Sequence, residues 1–346
     1  MPGTPTYFPA IRPKLGELTA LQHVPVASRP GVVPIVDLEW DESIAGRSST
    51  KLTGQLVNAW GTHPLIVDAA AADEVEGGVS AFEDLLKLLR EADASAIPTV
   101  GLASSSDLLS AASTAHGLDG NGVCIRLQAE DLGAGAQLGA WITDLLAELE
   151  VAAADIDLVI DLGAIDENSI GLHSALLGLA LPGVPAIDDW RHITVLSGAF
   201  PATLDIGTKR IVPIPRADAD LWRQVRANGA VARTLDYGDY GVTHPRMAVG
   251  GPFRSAPNVR YTHDDDWKAM KWTLRAEEGH SGLYEIARIM RDAGILDAPT
   301  FSWGDAELHS RADRNGGPGA GAQWKAWSTS HHIAKVSSRL STLGEP

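Results

Sequence analysis

Two carboxylates, three tyrosines and an arginine fall within two short stretches, Leu235-Asp236-Tyr237-Gly238-Asp239-Tyr240-Gly241-Val242 and Asn258-Val259-Arg260-Tyr261. Tyrosine favours strands and glycine permits a bend or a close backbone approach, so Asp239 is expected where a strand opens into a loop. An acid placed there is available for chemistry. A loop carboxylate capping backbone amides would look the same in sequence, and both readings stand at this level.

Other acids repeat the pattern. Apolar runs end in aspartate at Pro34-Ile35-Val36-Asp37, Leu65-Ile66-Val67-Asp68 and Val159-Ile160-Asp161, with Glu39 just beyond the first; Arg126 and Ser197 stand towards the ends of two further runs. Carboxylates buried together are costly unless they are hydrogen-bonded, paired or bound to a cation. Arg126, Arg260 or a divalent cation would supply that charge, and convergent carboxylates with raised pKa values are what general acid–base chemistry uses. Asp37, Asp161 and Asp239 are therefore the candidate acid, base or cation-binding groups. Arg126 and Arg260 are the candidate anion holders, since guanidinium matches phosphate bidentately, with Tyr237 as a further ligand contact. The structural alternative is that each aspartate caps a helix or joins an ion pair.

These residues need a scaffold that brings strand ends together. Short apolar runs alternate with longer amphipathic ones to about residue 240, the signature of repeated βα units. Eight candidate strands are Tyr7 to Ile11, Val32 to Leu38, Leu65 to Ala69, Ile97 to Leu102, Val123 to Leu127, Ile156 to Leu162, Ile193 to Ser197 and Thr234 to Tyr240. The helices between them show apolar faces, as with Phe82, Leu85, Leu86 and Leu89 in Ala81 to Ala92. Eight units predict a closed (β/α)8, TIM-like barrel, whose functional groups gather at the C-terminal strand ends. An open doubly wound sheet would carry a glycine-rich phosphate turn after its first strand, and Arg12-Pro13-Lys14-Leu15-Gly16-Glu17 is not one.

The last unit is elaborated. Residues 245–275 read as a loop and hairpin insertion, Leu283 to Asp292 as a helix and Arg314 to Gln323 as a flexible loop. A final helix, Gln323 to Leu343, is expected to pack through Trp324, Trp327, Ile333, Val336 and Leu340. No boundary divides the 346 residues into two domains.

A second constellation falls in this region, in Phe301-Ser302-Trp303-Gly304-Asp305 and Ser330-His331-His332-Ile333. Adjacent histidines point about 100° apart on a helix, so they cannot chelate one metal as an i, i+4 pair does. One is expected to face the barrel and the other solvent. Asp305 and His331 are carried as ligand-binding candidates. The run His263-Asp264-Asp265-Asp266 suits either a divalent cation or a solvated turn.

Apolar residues make up 45% of the chain, ample for a core, and the formal charge of −16 marks an acidic protein. That charge argues against a general nucleic-acid binder, because affinity for phosphate backbones comes from clustered Lys and Arg. The single cysteine, Cys124, lies in an apolar run and reads as a core thiol. No stretch suits a signal peptide or a membrane span, so the expected location is cytoplasmic. Oligomeric state is not legible.

Several of these segments appear in the order of a known family. Tyr7-Phe8-Pro9 with Lys14, Gly16, Glu17 and Leu21, then Val33-Pro34-Ile35-Val36, Tyr237-Gly238-Asp239-Tyr240, Asn258-Val259-Arg260-Tyr261, Ser302-Trp303-Gly304-Asp305 and Trp324 to His331-His332-Ile333 together resemble the beta protein family, named for a protein of T-even bacteriophage. The resemblance implies an intracellular bacterial or phage protein, in mobile-element or phage-conflict settings such as antiviral defence. It brings no assigned catalytic residue. One departure is that Asp266 to Trp272 lacks the Arg-Gly associated with the end of this hairpin.

The leading expectation is a barrel enzyme, a hydrolase or an acid–base catalyst, acting on a small phosphorylated or nucleotide-like ligand. The rival is a non-catalytic sensor or protein-interaction component of a phage-defence or mobile-element system. In that reading the C-terminal helix and its tryptophans would meet a protein partner, and the acids would be structural.

Overall fold

The computed structural model describes residues 4–38, 49–68, 71–246, 256–273 and 279–346. Eight parallel strands form a closed ring: β1 (Tyr7–Ile11), β2 (Ile35–Asp37), β3 (Leu65–Asp68), β4 (Ala96–Val100), β5 (Val123–Gln128), β6 (Ile156–Ala164), β7 (His192–Gly198) and β9 (Asp236–Asp239). Tyr7, Phe8 and Pro9 lie in register with Tyr237, Gly238 and Asp239, and that pairing closes the barrel. Parallel strands covered on both faces read as continuous apolar runs, so the ring was legible in the sequence.

Helices α1 (Leu15–Gln22), α2 (Ser49–Trp60), α3 (Gly78–Glu91), α4 (Ser106–Asp119), α5 (Gln137–Leu149), α6 (Ile170–Ala180) and α7 (Ala217–Asn228) alternate with the strands. In α3 the apolar stripe Phe82, Leu85, Leu86 and Leu89 is buried in the layer between strands and helices.

Alternation along each strand divides the core. Phe8, Ile35, Ile66, Ile97, Cys124, Val159 and Leu196 fill the barrel interior. Tyr7, Val36, Val67, Ile125, Leu158, Val195 and Tyr237 face outward into the larger core. Cys124 is a buried thiol that burial pushes far above its ordinary range, an inert core group.

The elaborated last unit is a small antiparallel sheet in the order β10 (Asn258–Thr262), β11 (Asp266–Lys271), β8 (Ile211–Pro215). The β10–β11 hairpin matches the expected insertion. Strand β8 was not expected, because Pro213 and Pro215 argue against a strand. It lies at the sheet edge, where proline is tolerated.

Helices α8 (Gly282–Asp292), α9 (Trp303–Ala312) and α10 (Gly321–Leu343) pack on this sheet around Val259, Tyr261, Met270, Ile286, Met290, Leu308, Trp324 and Trp327. Helix α9 was also missed, although Ser302 caps it by accepting from the Asp305 amide. The glycine-rich stretch before α10 is held by the Trp324 indole, which donates to the Pro318 carbonyl at 2.8 Å, and by the Tyr284 hydroxyl, which donates to the Gly316 carbonyl at 2.7 Å. Trp324 and Trp327, on which the interaction reading drew, are buried.

Two glycines set how closely α10 approaches. A Cβ on Gly16 of α1 would lie 2.7 Å from the Ala322 carbonyl oxygen, and one on Gly304 of α9 would lie 2.0 Å from that of Trp327. These close crossings bring Lys325 to Glu17 and His331 to Asp305. Among the described residues, no helix is long and apolar enough to cross a membrane.

Candidate functional site

The inward-facing ends of β2, β3, β5 and β6 converge on Arg126. Its guanidinium is bonded to Asp68, and it donates to Asp161 at 2.7 Å and to the Tyr240 hydroxyl at 2.8 Å. Tyr240 in turn donates to Asp161 at 2.7 Å, and the Gly163 amide donates to the other Asp161 oxygen at 2.9 Å. Asp161 is thus fully engaged. Arg126 is the cation that the clustered acids required, and its neighbouring carboxylates hold its pKa well above the ordinary value against the opposing effect of burial.

Asp37 is different. It is the partly buried register partner of Asp68, and among the described residues no donor or cation bonds to it. Burial pushes its carboxyl up to about 6, with Arg126 and Arg12 pulling down and Asp68 and Asp161 pushing further up. Glu39, expected beside it, lies outside the described residues.

Asp239 does not join this cluster. Gly238 and Tyr240 turn inward, so Asp239 turns outward with Tyr7 and Tyr237, towards α10. It accepts from the Tyr7 hydroxyl at 2.7 Å, from His332 Nε2 at 2.8 Å and from the Gly241 amide at 2.9 Å. Tyr237 lies within hydrogen-bond reach of Asp239 at 2.9 Å and of Asp218 at 2.5 Å, and it accepts from Arg216 at 3.0 Å. The whole group is buried. Burial works to raise the Asp239 pKa, but the charge and hydrogen bond of His332, with Arg216 and Tyr7, hold it at about 2.

The expectation that one of the paired histidines faces solvent is corrected: both are fully buried. His332 joins Asp239, with Thr262 Oγ1 2.7 Å from its Nδ1. His331 points to α9, with Nδ1 2.9 Å from Asp305 and Nε2 2.7 Å from the Thr262 carbonyl. Both His331 nitrogens face acceptors, so a ring that satisfies both donates from both. Asp305 also accepts from Tyr261 and Ser302, each at 2.6 Å. Asp305 and His331 therefore pin α9 to α10 and lie apart from Arg126.

Arg260 stands in a third place. Its guanidinium donates to the Val242 carbonyl at 2.7 Å and lies 4.7 Å from the Phe200 ring centroid. The His263 to Asp266 run is the hairpin turn, where Asp264 pairs with Lys335 and Arg339, Asp265 with Arg223, and Asp266 with Lys268. Among the described residues, no group of three or more His, Cys, Asp or Glu side chains is arranged to hold a metal ion.

Sequence reading missed Arg216, Asp218 and Lys325, which lie in helices or irregular backbone with no motif to mark them. Arg12 had a signal. It follows Phe8 and Ala10 at the inward spacing, and its charge reaches Asp37.

The barrel, the β9 segment, the added hairpin and α10 as far as residue 338 fall within residues 7–338, the range matched by the family described as "Beta protein". The chain belongs to the Beta protein family. No curated protein matches this family member. Among solved structures it is similar to triosephosphate isomerase from Bartonella henselae, at 15% identity over 68% of this chain and 92% of that one, with a TM-score of 0.36. It is also similar to type I 3-dehydroquinate dehydratase from Clostridium difficile, at 10% identity over 71% and 88%, with a TM-score of 0.40. The barrel assignment rests on the closed strand order itself.

Proposed function

We propose that this protein is an enzyme whose barrel mouth carries out proton transfer, in a hydrolytic or related acid–base reaction, on a small phosphorylated or nucleotide-like substrate. The setting we propose, from the family resemblance, is phage–host conflict. Asp37 is the group that takes and returns the proton. The observation that carries this reading is an asymmetry: Asp68 and Asp161 are bonded to Arg126, whereas Asp37 has no donor among the described residues and burial holds it near 6.

A general base works best when its pKa lies near the operating pH. Ionised above about pH 6, Asp37 takes a proton from an attacking water or from the substrate, and the resulting acid returns it to the leaving oxygen. Arg126 and Tyr240 keep Asp161 and Asp68 fixed around it.

The test is turnover of a panel of phosphate monoesters and nucleotides from pH 4 to 9, with divalent cations present, for the wild type, Asp37→Glu and Asp37→Asn. The expected result is a rate that rises to a plateau through about pH 6, with a loss on the order of 100-fold or more in Asp37→Asn. Wild-type rates in Asp37→Asn, or no turnover of any member, overturn the reading.

A further inference from the structure

Among the described residues, two cations, Arg260 and Lys325, face one carboxylate, Glu17, where the chain leaves β9. Glu17 of α1 is 5% exposed, and it faces Lys325 of α10 with Nζ 3.5 Å from its Oε1. Thr243 adds a hydroxyl 3.4 Å from the same oxygen. The Arg260 guanidinium bonds to the Val242 carbonyl and lies over the Phe200 face, and among the described residues no carboxylate comes within ion-pairing distance of it. Arg12 reaches the next part of the segment, donating to the His244 and Pro245 carbonyls at 3.3 and 2.5 Å.

We infer that Arg260 and Lys325 form an anion subsite at the edge of the barrel mouth, suited to a phosphate-sized dianion beside Glu17. The placement follows from the segment 242–245, which continues the C-terminal end of β9, and from Arg12, whose charge reaches both Asp37 and Lys325.

The physical argument is charge balance. Burying cations beyond the available carboxylates is unfavourable, and a bound dianion relieves it. Burial pushes Lys325 down to about 8, with Glu17 opposing and Arg260 and Arg12 adding to the depression; it pushes Arg260 down to about 10, with Glu17 opposing. The chain carries a formal charge of −16, so an anionic ligand needs a local reversal of sign to approach. Lys325 and Glu17 meet only because Gly16 lets α1 and α10 touch.

The subsite deepens the proposed function and rests on it for the position of the reacting group. Its test needs no turnover. Inorganic phosphate and sulfate are titrated against the whole chain at constant ionic strength, with chloride and acetate as controls, by calorimetry and by the shift in thermal midpoint. The expected result is saturable binding of both dianions, weakened at least about 10-fold in Lys325→Met and in Arg260→Met and retained in Lys325→Arg and Asp37→Asn, since one lost charge-assisted contact corresponds to about that factor.

Sulfate stays doubly charged from pH 7 to 9. Its binding is expected to weaken across that range in the wild type but not in Lys325→Arg, a comparison that survives if the methionine variants fail to fold. The groups facing Lys325 are Glu17 from α1, Arg260 from β10 and Arg12 beyond β1. Dianion effects no larger than those of chloride, or sulfate binding that is equally pH-dependent in Lys325→Arg, overturn the subsite. Asp37-dependent turnover without dianion binding removes the subsite alone. Dianion binding with turnover indifferent to Asp37 removes the reaction alone.

Discussion

Asp37 and Asp68 are register partners on adjacent strands, yet only Asp68 is bonded to Arg126. Two carboxylates side by side do not share one cation equally, and the one left without it becomes easier to protonate. The barrel mouth thus holds aspartates in different electrostatic surroundings.

The first consequence concerns stability against pH. Asp37 holds its proton more tightly folded than unfolded, because its pKa is raised from 3.8 to about 6. The stability linked to that proton is present below about pH 4 and is lost as pH rises through about 6. Asp37→Asn is therefore expected to be more stable than the wild type at pH 7, by up to about 3 kcal/mol. The difference should shrink towards pH 4 in urea unfolding, while turnover falls.

Removing Arg126 should do the opposite. Arg126→Met leaves Asp68 and Asp161 buried without their cation, a change that costs about 3 to 5 kcal/mol. Adding Asp161→Asn to Arg126→Met should recover part of that loss. Denaturant midpoints of the single and double variants check the coupling.

Asp239 is expected to matter chiefly for folding. Its pKa is lowered to about 2, so its contribution is present above about pH 4 and is lost as pH falls through about 2. Asp239→Asn should lower stability at pH 7 and flatten the acid limb between about pH 4 and 2, by on the order of 2 kcal/mol. Thermal unfolding across that range gives the answer; an unchanged acid limb would contradict the assignment.

The α9–α10 crossing offers a packing test. Gly304→Ala puts a methyl 2.0 Å from the Trp327 carbonyl oxygen, so the helices must separate. The expected cost is about 1 to 3 kcal/mol, with faster hydrogen exchange in α9 than in the barrel strands.

The sequence alone was enough for the barrel ring, the β10–β11 hairpin and the course of α10. Each depends on a local pattern, either a continuous apolar run for a strand buried on both faces or a repeat of three to four residues for a helix face. It was also enough to mark Asp37, Asp161 and Arg126 as strand-end groups. The two edge prolines of β8 hid that strand. Tertiary structure alone decided which side of its strand each polar residue occupies, because two aspartates at similar strand ends differ by one step of alternation. That step sends Asp161 inward to Arg126 and Asp239 outward to His332. The meeting of Glu17 with Lys325, more than three hundred positions apart, was equally beyond local pattern. It depends on two helices crossing at a glycine, a contact between distant segments that no periodicity records.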